Sequence, residues 1–331
     1  MRLENCDLNI DLVVSAPVMR TQPEPEWVAA RDSGVLPPAV FALYSRASFL
    51  SFGGAPPFLS DDKRFLFSYF SMLLRSVKES LTDADEELKL FIEVQGQVYD
   101  PGKKIRGEPW DPTADDRARR HFRLLLLALQ GALDAVADLV ALFLTGLVPG
   151  LQLARAQFAR IEAWLYRPLP APELVITPQR QYLENLYSRL RPLVLADAPE
   201  RDWLPLMRMF RNKAAHLGDS VFRYVGLHDN ASKFYTFVPR RWPYIWEEHM
   251  HPAGAAGTGQ SILDLLRESL VHDDIVSYAR GVRSRITGLI GAAVEVIDSA
   301  YVAFKDFQTN EAALAELEGS SEAFEFQYFL T

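Results

Sequence analysis

The clearest hydrophobic pattern begins at Asp111-Pro112-Thr113, where apolar positions recur at helical spacing to about Leu147. Residues 124–129 are apolar all round, and a helix apolar on every side belongs at the centre of a bundle. Pro149-Gly150 turns the chain, and a second helix to about Tyr166 is predicted to lie antiparallel to the first. Thr177-Pro178 reads as an N-cap followed by Pro at the first helical position, opening a helix to about Leu190, before Pro192. Upstream, Val40, Phe41, Tyr44, Ala47 and Phe49 keep helical spacing until Gly53-Gly54-Ala55-Pro56-Pro57 breaks it. Phe65, Tyr69, Met72, Leu73 and Val77 then form the stripe of a helix over residues 61–81. Residues 88–98 fit either a helix or a strand, and Asp100-Pro101-Gly102 ends them. Residues 1–36 read as one strand over 8–14 followed by a loop through Pro17, Pro23 and Pro25.

Downstream, Asp202 suits an N-cap, Pro205 falls in a first turn and Gly218 suits the C′ position, delimiting a helix of about four turns. At about 100° per residue, Trp203, Leu206, Met207, Phe210, Ala214 and Leu217 gather on one apolar stripe, and Asn212 and His216 emerge roughly opposite. Arg211 falls at the stripe's edge, about 80° from its centre, within reach of the polar face. After Gly218 two β-rich runs, 221–227 and 233–238, flank Asp229-Asn230 and read as a hairpin. A loop rich in Trp, Pro and Gly continues through Gly259. Ser261-Ile262-Leu263-Asp264 looks like a capping box opening a short helix, and Asp273-Asp274 starts a long one to about Phe304.

The chemistry concentrates on Arg211-Asn212-Lys213-Ala214-Ala215-His216. An Arg, an amide and a His on one helix can serve as a cation for developing negative charge, an orienting group and a general base, with no obligatory metal. His216, Arg211 and Asn212 supply those roles, and the four-residue offset lets the Asn212 carboxamide hydrogen-bond an imidazole nitrogen and set its tautomer. With 27 Arg and six His in the chain, the spacing alone recurs at Arg223 to His228 and Arg267 to His272. Only Arg211 combines a following Asn with a capped amphipathic helix. Two other readings stay open: Asn212 and His216 as ordinary polar-face residues with Arg211 paired to a carboxylate, or a module that binds a nucleotide or partner without turnover.

At these residues the chain resembles the HEPN family, helical domains whose ribonuclease members carry R-x(4–6)-H with a polar residue, commonly Asn, directly after the Arg. The resemblance is strong over the one helix and loose over residues 114–305. It implies metal-independent endoribonuclease activity, leaving a 2′,3′-cyclic phosphate, in a homodimer whose two motifs meet across the interface. It further implies no cofactor, a cytoplasmic toxin or defence effector, and an antitoxin or other regulatory protein as partner. Gly218 stands where a toxin subgroup has Tyr, so nucleotidylation at that place is not implied. The expected fold is mainly α: a HEPN-like helical bundle over residues 111–305 with a small β-hairpin insertion, a mostly helical N-terminal extension over 1–110, and an acidic tail over 306–331.

Composition adjusts this picture in a few places. With 331 residues, 49% of them apolar, the chain can bury a sizeable core without staples. Cys6, alone, forms no intramolecular disulfide, which suits a reducing cytosol, and no metal-ligand spacing is present. The charged start lacks the apolar run of an export signal before Pro17. The longest uncharged apolar stretch, 139–154, is shorter than a bilayer span and is broken by Gly146, Pro149 and Gly150, so no membrane segment is expected. Net charge is −8, yet six carboxylates and no Lys or Arg lie in residues 306–331, leaving a body at −2. Of 35 basic residues 27 are Arg, the better phosphate partner. Arg208 and Lys213 on the motif helix, and Arg240 and Arg241 beside Trp242, Tyr244 and Trp246, are the candidate RNA contacts, since single-strand binders interleave aromatics with Arg. Anchoring a loop by burial is the competing role for those aromatics. Arg280, Arg283 and Arg285 share one helix as a basic or simply solvated surface. There is no dinucleotide fingerprint, Walker loop, nucleophile elbow or repeat of 20 to 50 residues.

Overall fold

Helix N-termini need partners for their orphan N–H groups, and Asp111 supplies them: its Oδ1 accepts from the backbone N–H of Thr113 at 3.0 Å and of Ala114 at 3.1 Å, with Pro112 at the first helical position. The helix so started is one of a set. The computed structural model describes residues 24–51, 61–98, 106, 111–144, 148, 150–152, 156–169, 178–195, 203–216, 224–227, 234–238 and 273–308. They form helices α1 (Pro25–Asp32), α2 (Pro38–Ser51), α3 (Asp61–Val98), α4 (Pro112–Leu144), α5 (Phe158–Leu165), α6 (Pro178–Val194), α7 (Trp203–His216) and α8 (Ile275–Gln308). Three short strands accompany them: β1 (Tyr224–Leu227), β2 (Phe234–Val238) and β3 (Asp273–Asp274). The described fold is therefore mainly α-helical.

α3 and α4 run side by side and antiparallel, as their cross-contacts show. His121 Nδ1 lies 2.7 Å from Glu87 Oε2, the Phe91 and Phe122 rings are 5.3 Å apart, and a Cβ on Gly131 would come within 3.2 Å of Ser80 Oγ. α8 threads against both, against α6 through Arg189 and Glu295, and against α7 through Phe210 and Tyr278, whose rings are 6.0 Å apart. One continuous core, from Trp27 in α1 to Ile297 in α8, results. Its most buried large side chains include Phe91, Phe122, Phe158 and Phe210. β1 and β2 pair antiparallel, with Tyr224 opposite Phe237, and β3 adds to β2 through Phe237 and Asp274.

Several elements differ from the sequence reading. Residues 25–32, expected as loop, form α1. Pro25 at its first position is compatible with the helix, and burial of Trp27, stacked on Tyr44 at 3.5 Å, holds it down. Gly34, at φ 72°, then turns the chain so that the Leu36 N–H reaches the Ala30 carbonyl at 3.0 Å. Residues 88–98 are helical and simply continue α3, because Leu88, Phe91 and Val94 fall at helical intervals on its buried side. α5 starts only at Phe158, not directly after the turn at Gly150, which does take a positive φ of 74°. Asp134 Oδ1 accepts from the Phe158 N–H at 3.0 Å and Asp138 Oδ1 from the Ala156 N–H at 3.3 Å, so α4 itself holds the approach to α5. α6 continues to Val194, through Pro192. Asp273-Asp274 pairs as a strand and α8 opens one residue later, then runs past Phe304. Within 124–129 of α4, Leu125, Leu126 and Leu129 are buried but Leu127 is 39% exposed, so the helix is not covered on every side.

The strand expected over 8–14, the breaks at 53–57 and 100–102, the caps at Thr177, Asp202 and Gly218, the turn at Asp229-Asn230, the capping box at 261–264 and the tail from 309 lie outside the described residues. Among the described residues, Pro112–Leu142 is the stretch long and apolar enough by composition to cross a membrane, and most of its apolar window is buried inside the fold.

Candidate functional site

α7 carries the motif, and its sequence explains how it is held. Trp203, Leu204, Met207 and Phe210 are buried, and the Trp203 indole N–H donates to the Leu193 carbonyl at 3.2 Å. Phe210 meets Phe122 of α4 at 6.5 Å and Tyr278 of α8 at 6.0 Å, both edge-on. Arg285 of α8 lies over the Trp203 ring at 5.8 Å. The helix is thus fixed on two sides by aromatic packing.

Leu204 widens the buried arc beyond the stripe read from the sequence. At about 100° per residue it lies about 20° from Arg211, which therefore stands within the buried arc and not at its margin. Arg211 is half-buried, and its Nε is out of solvent without a hydrogen-bond partner. The same helical count puts His216 about 140° round the helix from Arg211, and Asn212 about 40° from His216. The backbone of α7 reaches His216, while the side chains of Asn212, Lys213 and His216 lie outside the described residues. So do Arg240, Arg241, Trp242, Tyr244 and Trp246.

Arg208, a candidate phosphate contact, is engaged by the protein. One of its terminal nitrogens donates to Glu162 Oε1 at 2.8 Å and lies 2.7 Å from Oε2. Glu162 is only 2% exposed. Burial pushes its carboxyl above the ordinary value, and the Arg208 guanidinium opposes that rise. The sequence reading missed Glu162, although, of the two charges in the run Phe158-Ala159-Arg160-Ile161-Glu162-Ala163-Trp164-Leu165, Glu162 falls in helical register with Phe158, Ile161 and Leu165, which was the available signal. Two of the three arginines of α8 are likewise engaged inside the fold. Arg283 bridges to Asp85 Oδ1 at 3.2 Å and reaches the Val35 carbonyl at 3.4 Å, and Arg285 stacks on Trp203. Arg280 remains exposed. Outside α7, Arg117 and Arg120 on the first turns of α4 are exposed cations. Among the described residues no group of three or more His, Cys, Asp or Glu could hold a metal ion.

No family model matches the chain, and neither the curated proteins nor the solved structures contain a match.

Proposed function

We propose that this chain is a metal-independent endoribonuclease of the HEPN type, a helical bundle with a β-hairpin insertion that acts as a homodimer. Arg211-Asn212-Lys213-Ala214-Ala215-His216 is its working motif. The observation that carries the reading is this motif on α7 together with the unpartnered Nε of Arg211. A buried donor without an acceptor is costly and calls for an explanation, and a phosphate oxygen is an acceptor that a guanidinium suits well. In this reading His216 takes the 2′-hydroxyl proton, Arg211 carries the charge that develops on phosphorus, and Asn212 orients the imidazole. The products are a 2′,3′-cyclic phosphate and a 5′-hydroxyl. RNA is the substrate, the compartment is the cytoplasm, and a toxin or defence role with an antitoxin or regulatory partner fits such an activity.

The position of Arg211 within the buried arc favours a second reading, a HEPN-like module that binds a nucleotide or partner without turnover. Incubation of purified protein with total RNA in EDTA, beside a His216→Ala control, separates the two. Cleavage by the parent and not by the variant supports the enzyme. Binding without cleavage supports the module, and neither removes both.

A further inference from the structure

Glu162 and Arg208 join α5 to α7 by a contact that is poorly suited to stabilising the fold. Taking a carboxylate out of water is compensated only when the geometry is excellent and every lone pair is satisfied. Here a single terminal nitrogen straddles both carboxylate oxygens, and Oε2 has no aligned donor. With Glu162 buried and Arg208 about a quarter exposed, the pair offers little net stability over an apolar pair of similar size. What an apolar pair would not supply is direction. Among the described residues, the other contacts of α7 through Leu204, Met207 and Phe210 are hydrophobic and tolerate small rotations and shifts of a helix, while the directional bond of the Trp203 indole to the Leu193 carbonyl holds only the first turn, two turns before Arg211. An ion pair with a 2.8 Å hydrogen bond does not tolerate such shifts.

Arg208 stands three residues before Arg211, so the two are neighbours on the helix surface, and whatever fixes the rotation of one fixes the other. From this geometry we infer that the buried Glu162–Arg208 pair is a register lock for α7, with Glu162 and Arg208 as positioning residues that set where Arg211 and the following motif residues point. The lock is a property of α5 and α7 whatever the motif does. Its effect on cleavage rests on the ribonuclease reading.

The test replaces the pair with apolar residues, Glu162→Leu together with Arg208→Met, in the full chain. The melting temperature is expected to hold or rise, while amide exchange along residues 203–216 speeds up by about tenfold or more as α7 samples other registers. The kcat for RNA is expected to fall by about tenfold or more with KM unchanged, since small misplacements of a reacting group are costly. A merely structural pair would instead lower the melting temperature, and that result overturns the inference. So does unchanged exchange along α7. Arg208→Lys is the second variant, keeping the charge but losing the planar guanidinium. Faster exchange confined to α7 supports the lock, and parental exchange in this variant overturns it. A parent that does not cleave RNA removes the ribonuclease reading alone, because the exchange and melting data still decide the lock.

Discussion

Arg211, with a buried donor that has no partner, and Glu162, a buried acid with an imperfect one, are the two residues in and beside α7 that carry the sharpest predictions. If Arg211 and His216 are the cation and base of RNA transesterification, Arg211→Ala and His216→Ala should each slow cleavage by about 10²-fold or more, with the parental fold retained. Single-turnover cleavage of a defined RNA in EDTA measures this, and parental rates in either variant remove that residue's role. Glu162 gives a prediction of a different kind. Its folded carboxyl lies above the ordinary Glu value of about 4.3, so in the window between the two the folded chain holds a proton that the unfolded chain releases. Stability from this group therefore falls as pH rises through that window and returns as pH falls. Glu162→Gln lacks the titration, so the stability of the parent relative to Glu162→Gln should grow as pH is lowered from neutrality toward 4.3, read from urea midpoints at stepped pH. A difference that is flat, or that shrinks, contradicts it. The sequence made the motif legible because spacing and residue type are local. It did not make Glu162 legible as a partner for Arg208, because the two lie 46 positions apart and only packing of α5 on α7 brings them together.

Local signals located helices well and their ends less well, and the reason differs from one helix to another. The start of α4 was legible because Asp111 and Pro112 act within a turn of themselves. The prediction at this scale is that Asp111→Ala costs about 1 kcal/mol of stability, since two helical N–H groups lose their acceptor. Chemical denaturation with the slope unchanged is the measurement, and a loss well under half that figure would mean water replaces the cap. α1 is not legible in the sequence, since Pro25 suits a loop and a helix start equally. What decides between them is distant. Arg75 of α3 donates to both Glu24 oxygens at 3.2 Å and to the Tyr44 hydroxyl at 2.8 Å, clamping the start of α1 against α2 and α3. In α5 the delay to Phe158 has a similar origin, since Asp134 and Asp138 of α4 take up backbone N–H groups of the approaching chain. Continuity of α3 through residues 88–98 depends on Phe91 meeting Phe122, again a contact that no local window contains.

At the scale of the whole molecule, the helical geometry of α7 makes a prediction of its own. By helical count positions 211 and 216 stand about 140° apart around α7, with Arg211 on the side packed by its own chain. One His also provides a base but no second group to protonate the leaving 5′-oxygen. A single copy of the motif is therefore poorly arranged to surround one phosphate. A two-fold interface is isologous and brings the same patch of each protomer together, so two copies of α7 near the axis would offer a base from one chain, an acid from the other and two guanidinium groups. The expected outcome is a homodimer at micromolar concentration by light scattering or sedimentation. The finer test is complementation. A His216→Ala chain is mixed with an Arg211→Ala chain under conditions that permit exchange; each mixed dimer holds one His216 and one Arg211, so recovery is partial at most and its extent reports which chain supplies which group. With statistical exchange half of the dimers are mixed, so recovery is bounded and scales with the mixed fraction. A strictly monomeric protein that cleaves RNA at the full rate sinks the composite site.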